Sequence, residues 1–328
     1  MNKSIRSRAL TSAAGLLLAG TLTANAEDIV IWGGFPELTE YYERVAESLS
    51  GKYPDLNVVV EPIGLRDHEK RVALGLSSGL DNATVLELIG STANRYIVND
   101  LIQPAPDGVS SFVNDDSNFE AFFQDTATVD GSVYGVPVFR GQGALFYNTD
   151  MLAAAGLEGP PTTMDEYDEY AAKLTQRDSD GNPTVSGWSL RLSGGGGGIA
   201  EKFWINLHQY GGTLLEQEGD NYRAGYANEM GLAALKQYVN AVSGLKTVTV
   251  EMPADSAAFQ REQTAMFIRE SWVIGDTAKK APDLNYKTAV LPRGSIALPV
   301  NLYVSGGSEE AQAAAWDFAI AANEPEHL

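Results

Sequence analysis

The sequence predicts an α/β fold of about two domains, and three observations lead there. Short apolar and β-branched runs alternate with stretches of helical spacing along the chain. That alternation yields a mostly parallel sheet covered on both faces. The 328 residues exceed one ordinary domain and suit two of about 150 residues each. No internal repeat is present, and the one low-complexity segment is the glycine run 194–198.

The elements follow in order. Lys3, Arg6 and Arg8, an apolar run over 9–20 and Ala24-Asn25-Ala26 predict a secretory signal peptide over residues 1–26, cleaved before Glu27. Residues 27–32 form an apolar strand broken by Gly33-Gly34. Residues 37–49 carry apolar side chains at helical spacing (Leu38, Tyr41, Tyr42, Val45, Leu49). A strand is expected at 56–61, a helix at 66–76, a buried strand at 83–89 and a helix at 112–123. Asp130-Gly131 signals a hairpin turn. Two successive strands then run from Tyr134 to Asn148, followed by a short helix stopped at Gly156. Beyond them a helix is expected at 164–174, entered through Thr162-Thr163, and a strand at 186–192. A helix over 199–210, a strand over 213–216, a helix over 229–242 and a strand at 265–269 continue the pattern, and 286–291 leads to Pro292-Arg293-Gly294, read as a return crossover. Strand 298–305 and an Ala-rich helix over 309–322, limited by Pro325, close it.

Composition narrows the function. With no cysteine there is no disulfide, thiolate metal site, cysteine nucleophile or lipid-bearing cysteine. A net charge of −20, more negative once the basic leader is removed, argues against nucleic acid and anionic membranes as partners. No apolar run has a comfortable transmembrane length. The expectation is a soluble periplasmic protein.

Several segments together resemble a known family. Tyr134 to Asn148, running on to Pro160-Pro161-Thr162-Thr163, resembles an interlobe crossover of the family 1 extracytoplasmic solute-binding proteins, the carbohydrate-binding subunits of ABC importers. Ile29-Val30-Ile31-Trp32 resembles the family's opening strand. Val85-Leu86-Glu87-Leu88 with Ile97 to Pro104 resembles its strand and helix before the leucine-proline loop. Phe259, Ala265-Met266-Phe267-Ile268 and Ser271-Trp272-Val273-Ile274-Gly275 resemble its F…AM…SW.IG signature. Ala315-Trp316-Asp317-Phe318 with Glu324-Pro325-Glu326 resembles its late AW.F…PE helix. The resemblance implies a two-lobed, type II-like periplasmic binding protein fold with hinge crossovers, the first lobe over 27–137 plus 294–328 and the second over 138–293. It implies a monomeric carrier, not an enzyme, without cofactor, that closes around a sugar or polyol and docks on an ABC permease. Family members continue past the AW.F helix with helices that complete the second lobe. This chain stops at Leu328, so a truncated or minimal second lobe with exposed apolar surface is expected.

A sugar calls for flat aromatic surfaces and many directional polar partners in a cleft. Trp272 leads the candidates: it follows a strand at a strand-to-helix junction, where open α/β sheets bind ligands, and it matches the family's sugar-stacking tryptophan; packing of the junction is the alternative. Arg269 and Glu270 beside it offer charge-assisted hydrogen bonds, or form a solvated salt bridge. Phe35 and Glu37 lie in the loop after the first strand, whose Trp32 is assigned to the core. Ser91, Thr92 and Asn94 follow strand 83–89, with a helix N-cap as the alternative role of Ser91. Arg140 and Gln142 lie in the crossover, Arg140 as a ligand contact or an interlobe salt bridge. The glycine run lacks the phosphate-loop and dinucleotide patterns and reads as a flexible cleft-rim loop; Trp204, on the helix it opens, faces cleft or core.

Catalytic and metal signals are weak. His68, His208 and His327 are scattered, and 178–182 reads as a turn, not a calcium loop. Tyr41-Tyr42 fits the apolar stripe of its helix. Two alternatives stay open: binding of a non-sugar solute such as a polyamine, an iron chelate or an organic acid, and a periplasmic glycan-degrading enzyme, for which no carboxylate pair suggests itself.

Overall fold

A computed structural model describes residues 28–54, 57–192, 196–219, 221–253 and 255–327. The expected signal peptide, 1–26, lies outside them. The chain opens with β1 (Asp28–Gly33), a 3-10 turn (Pro36–Leu38) and α1 (Thr39–Leu49), then β2 (Asn57–Pro62), α2 (Leu65–Ser78), β3 (Ala83–Ile89) and α3 (Gly90–Ile97). Helices α4 (Asp107–Val113) and α5 (Ala121–Ala127) precede a hairpin of β4 (Thr128–Val129) and β5 (Ser132–Val133). Asp130 and Gly131 both have positive φ there, 49° and 79°, as the tight turn requires.

β6 (Val136–Asn148) then joins two parts of the sheet. It is followed by α6 (Thr149–Ala154), α7 (Met164–Leu174), the short pair β7 (Gln176–Arg177) and β8 (Pro183–Val185), α8 (Gly196–Gln209) and the hairpin β9 (Leu215–Glu218) with β10 (Asn221–Ala224). Next come α9 (Glu229–Val239), α10 (Asp255–Gln260), β11 (Met266–Glu270), α11 (Val273–Lys280) and β12 (Tyr286–Ala289). β13 (Ala297–Ser305) and α12 (Glu309–Ala321) finish the fold.

The strand order is β11-β6-β13-β3-β1-β2, with β12 also on β6. β1 lies parallel to both β2 and β3. β13 returns antiparallel between β3 and the first half of β6. The second half of β6, from Gly143, lies antiparallel to β11 on one side and β12 on the other. One strand therefore serves two sheets.

Each sheet is covered on both faces, and side-chain alternation sorts the residues. Ile29, Ile31, Val85, Leu302 and Val304 face α1 and α12, packing on Val45, Ala315 and Phe318. Leu86, Leu88 and Tyr303 face Val72, Leu76 and Tyr96 on the other side. In the second sheet Leu145, Tyr147 and Met266 pack with Tyr167, Trp188 and Ile205. Phe146 and Phe267 point the opposite way, to Phe259 and Val273. Two separate pairs of cores joined through β6 and β13 make a two-lobed mixed α/β fold.

Four expectations are corrected. The helix expected over 112–123 is two helices: Asp115 accepts from the backbone N–H and hydroxyl of Ser117, and that side-chain turn breaks the run. The two strands expected from Tyr134 to Asn148 are one continuous strand. Residues 186–192 make only isolated bridges, from Ser186 to Thr264 and from Ser189 to Phe267. There, Gly187 passes so close to α7 that a Cβ would sit 2.1 Å from the Ala171 carbonyl oxygen. The mostly parallel sheet is, among the described strands, parallel across β2, β1 and β3 and antiparallel elsewhere, with the isolated bridges at Ser186 and Ser189 also parallel. Along α9, Leu232, Leu235 and Val239 form an exposed apolar stripe with Val242 just beyond. Among the described residues no helix is long and apolar enough to cross a membrane.

Candidate functional site

β11 carries apolar residues into both cores of the second lobe and ends in Arg269 and Glu270, directly before Trp272 and α11. Glu270 pairs across from Gly143 of β6. Gly141 lies beside it, where a Cβ would make ordinary contact with the Glu270 Cβ at 3.7 Å. The buried Glu270 carboxylate accepts from Lys202 Nζ on α8 and, at 2.9 Å, from Arg269 Nη1. Lys202, itself buried, also reaches Glu201 Oε1 at 2.8 Å. Burial alone would push the Glu270 carboxyl up, but the Lys202 and Arg269 charges outweigh it and hold the pKa at about 2. Burial raises that of Glu201. The Arg269 guanidinium carbon lies 5.1 Å from the Trp272 ring centroid. Trp272 is half-buried, with part of its ring against the Phe146, Phe259, Phe267 and Val273 cluster. A chain of contacts thus runs from α8 through Glu270 and Arg269 to an aromatic face beside the crossover.

In the first lobe, the loop after β1 is shaped from below by Glu87 of β3. Its Oε2 accepts from the N–H groups of Gly34 at 2.6 Å and Phe35 at 3.1 Å. The Phe35 ring meets Phe139 of the crossover edge-on, centroids 5.2 Å apart. Glu37 is exposed on the 3-10 turn. Its pKa is raised by loss of hydration and by Asp276, with Lys279 opposing; both belong to α11, so this loop faces the second lobe. Ser91 sits exposed in the first turn of α3 and does not cap it, Ile89 holding the N-cap position. Asn94 is exposed one turn further along. Trp32 packs in the core under Arg71, as its place at the strand end suggests.

In the crossover, Arg140 is exposed opposite Pro299 of β13, and its guanidinium lies 5.7 Å from the Phe123 ring centroid. It opens into a cavity of about 690 Å³ whose lining includes Phe112, Phe119, Phe123, Phe139 and Asn323. Gln142 is exposed opposite Ala297. Trp204 is 37% exposed on α8. Of the glycine run, 194 and 195 lie outside the described residues, whereas 196–198 are the first turn of α8 and not a loop. Gly198 is held against Arg191, whose guanidinium carbon a Cβ would approach to 2.5 Å.

Sequence reasoning missed Lys202 and Glu87. Lys202 precedes the buried Ile205 by three residues and the buried Asn206 by four, so its place on the inner face of α8 was legible. Glu87 lies within the otherwise apolar β3, where an acid needs donors. Among the described residues Glu324, Glu326 and His327 are close enough to share an ion, but both carboxylates are exposed and nothing further points to one.

Polar and aromatic groups from both lobes and from the connecting strand make up the candidate site of this two-lobed fold. The chain belongs to the bacterial extracellular solute-binding protein family, whose model matches residues 45–328. It is 26% identical over 295 residues to a lactose-binding protein of Rhizobium radiobacter, 87% of this chain and 64% of that protein. A Brucella abortus protein named only as a binding protein is 24% identical over 260 residues, 77% of this chain and 60% of its own. The chain thus spans less than two thirds of these relatives' length. In fold it is similar to an ABC substrate-binding protein of Listeria monocytogenes solved with cycloalternan (TM-score 0.73, 20% identity, 92% of this chain and 76% of that one). It is equally similar to a Mycobacterium tuberculosis protein solved with glycerophosphocholine (TM-score 0.74, 18% identity, 92% and 75%).

Proposed function

We propose that this chain is an extracytoplasmic carrier that binds a small neutral saccharide or polyol between its lobes and delivers it to an ABC permease. The observation that carries this reading is the assembly of Trp272, Arg269, Glu270 and Lys202 at the end of β11, beside the crossover. An aromatic face suits the apolar C–H side of a sugar, and charged groups of fixed orientation suit its hydroxyls. Phe35, Glu37, Ser91 and Asn94 supply the facing wall, Arg140 and Gln142 the floor, and Trp204 the rim. The lobes of this reading are 27–137 with 294–328, and 138–293. Ligand touching both favours the closed form, which is the form the permease accepts. No bond is made or broken, and the protein acts as a monomer in the periplasm, behind a cleaved leader.

A second reading, a non-sugar solute on the same scaffold, is favoured by the cavity at Arg140. A cation set among four phenylalanine rings suits an organic acid better than a hydroxyl rim does. The glycan-degrading alternative needs two carboxylates flanking a sugar. Glu201 and Glu270 do meet, but around Lys202 Nζ, which leaves no room for one.

A thermal-unfolding screen separates these readings, with lactose as the first probe and other saccharides, polyols, polyamines and organic acids beside it. A ligand at ~100 times its Kd adds roughly 2.7 kcal/mol, or about 4 °C for a chain of this size. A rise confined to one saccharide or polyol class supports the carrier of neutral solutes. A rise with organic acids alone supports the second reading, and cleavage products in the mixture would reveal an enzyme.

A further inference from the structure

Glu87 is fully buried in β3, yet three donors converge on its carboxylate. Gly34 and Phe35 donate their backbone N–H groups to Oε2 at 2.6 and 3.1 Å, and the buried Tyr42 hydroxyl donates to Oε1 at 2.5 Å. The first two donors are the loop after β1, which reaches the crossover through the Phe35–Phe139 contact. From the other side His68 closes the loop in: a Cβ on Gly34 would lie 2.9 Å from its ring. His68 Nε2 is 2.7 Å from the Glu87 carbonyl oxygen. Burial pushes the His68 pKa down to about 4, so the ring is neutral and Nε2 carries the proton it donates there.

We propose that Glu87 is a positioning residue, whose ionised carboxylate pins the Gly34-Phe35 loop and whose protonation releases it, so that the first-lobe wall of the cleft responds to pH. The ligand-binding meaning of that wall rests on the proposed carrier function; the pinning itself does not. A carboxylate accepts all three bonds as charge-assisted ones, about twice as strong as neutral bonds. A proton on Oε1 obliges the Tyr42 hydroxyl to turn round and accept, and it leaves Oε2 a weaker acceptor for both loop amides. Every ionisable neighbour leaves Glu87 as the group that titrates near neutrality. Tyr42 on α1 is held protonated by burial and by the carboxylate itself. Glu37 on the 3-10 turn adds a like charge. His68 on α2 stays neutral, with Arg71 behind it. Tyr303 on β13 lies on the opposite face, in the core with Leu86 and Leu88. Burial is the chief cause that raises the Glu87 carboxyl to about 7.

Two signs follow and they oppose each other. With a folded pKa near 7 above an unfolded value near 4.5, the native state binds the extra proton between those values. Global stability contributed by Glu87 is therefore full at acid pH and is lost as pH rises through about 7. Local protection of the loop amides rises over the same range. A residue that merely fills space produces neither trend.

The test is a pH titration of the Gly34 and Phe35 amide signals by nuclear magnetic resonance in the ligand-free full chain, with hydrogen exchange of the same amides. The expected result is a shared inflection near pH 7 and a protection factor, taken relative to the base-catalysed intrinsic exchange rate, at least tenfold higher above it. Glu87→Gln, whose amide oxygen still accepts from the loop and whose NH₂ faces Tyr42, should keep the fold and abolish the inflection. Glu87→Leu should speed exchange of both amides at least tenfold at pH 8. An absent inflection between pH 5.5 and 8.5, or an inflection that survives in Glu87→Gln, overturns the proposal. A chain that shows the inflection yet binds no saccharide would keep the proposal and overturn the carrier reading alone.

Discussion

Lys202→Met is the substitution that most sharply tests the charge assembly. It keeps the length of the buried side chain and removes only the ammonium that faces Glu270, a carboxylate with a side chain 6% exposed. Deleting one partner of a buried ion pair costs about 3–5 kcal/mol, because the surviving charge stays desolvated. Arg269 remains 2.9 Å from the other oxygen, which places the expected cost at the lower end, about 3 kcal/mol. A chain of this size should lose about 5 °C in Tm at pH 7, followed by circular dichroism. The sign with pH is also fixed. The folded pKa is depressed, so the stability it represents is present above about 4.5 and disappears as pH falls toward 2. The gap between wild type and variant should therefore be widest near pH 7 and narrow below pH 4.5. A gap under about 1 kcal/mol at pH 7, or one that does not change with pH, would refute the argument that Lys202 holds Glu270 ionised.

Two further outcomes are expected. Trp272→Ala should weaken saccharide binding at least tenfold by titration calorimetry, a loss of about 1.4 kcal/mol, while Trp272→Phe retains most of it; unchanged affinity in Trp272→Ala would remove Trp272 from the site. Gly187→Ala forces a Cβ to within 2.1 Å of the Ala171 carbonyl oxygen and should destabilise by about 3 kcal/mol in urea; a neutral result would show that α7 is free to shift there.

Local signals carried most of the fold. Thr163 caps α7 and Glu166 reaches back to Thr162, as the Thr-Thr entry suggests. The apolar run of β3 fixes its limits, and Asp130-Gly131 fixes its hairpin. The failures share one cause: a non-local contact or a side-chain turn outweighed periodicity. Apolar spacing over 112–123 is real, but Asp115 bonds to its own chain and splits it. The 186–192 segment is strand-like in composition, yet it lies against α7 and finds only bridges. At the site, Trp272, Arg269 and Glu270 were reachable because they adjoin in sequence. The inward placement of Lys202 was legible from its helix, but its role and that of Glu87 were not, since their partners lie 68 and 53 residues away.

The claim that a solute is held between the lobes is tested most directly by a distance across the cleft. The absence of native cysteine makes Asp67→Cys with Lys279→Cys a clean pair of spin-label sites, exposed on α2 and α11. Double electron–electron resonance with and without the saccharide found in the unfolding screen should show the distribution shifting to a shorter distance and narrowing on saturation. A bound saccharide that leaves the distribution unchanged would contradict the account.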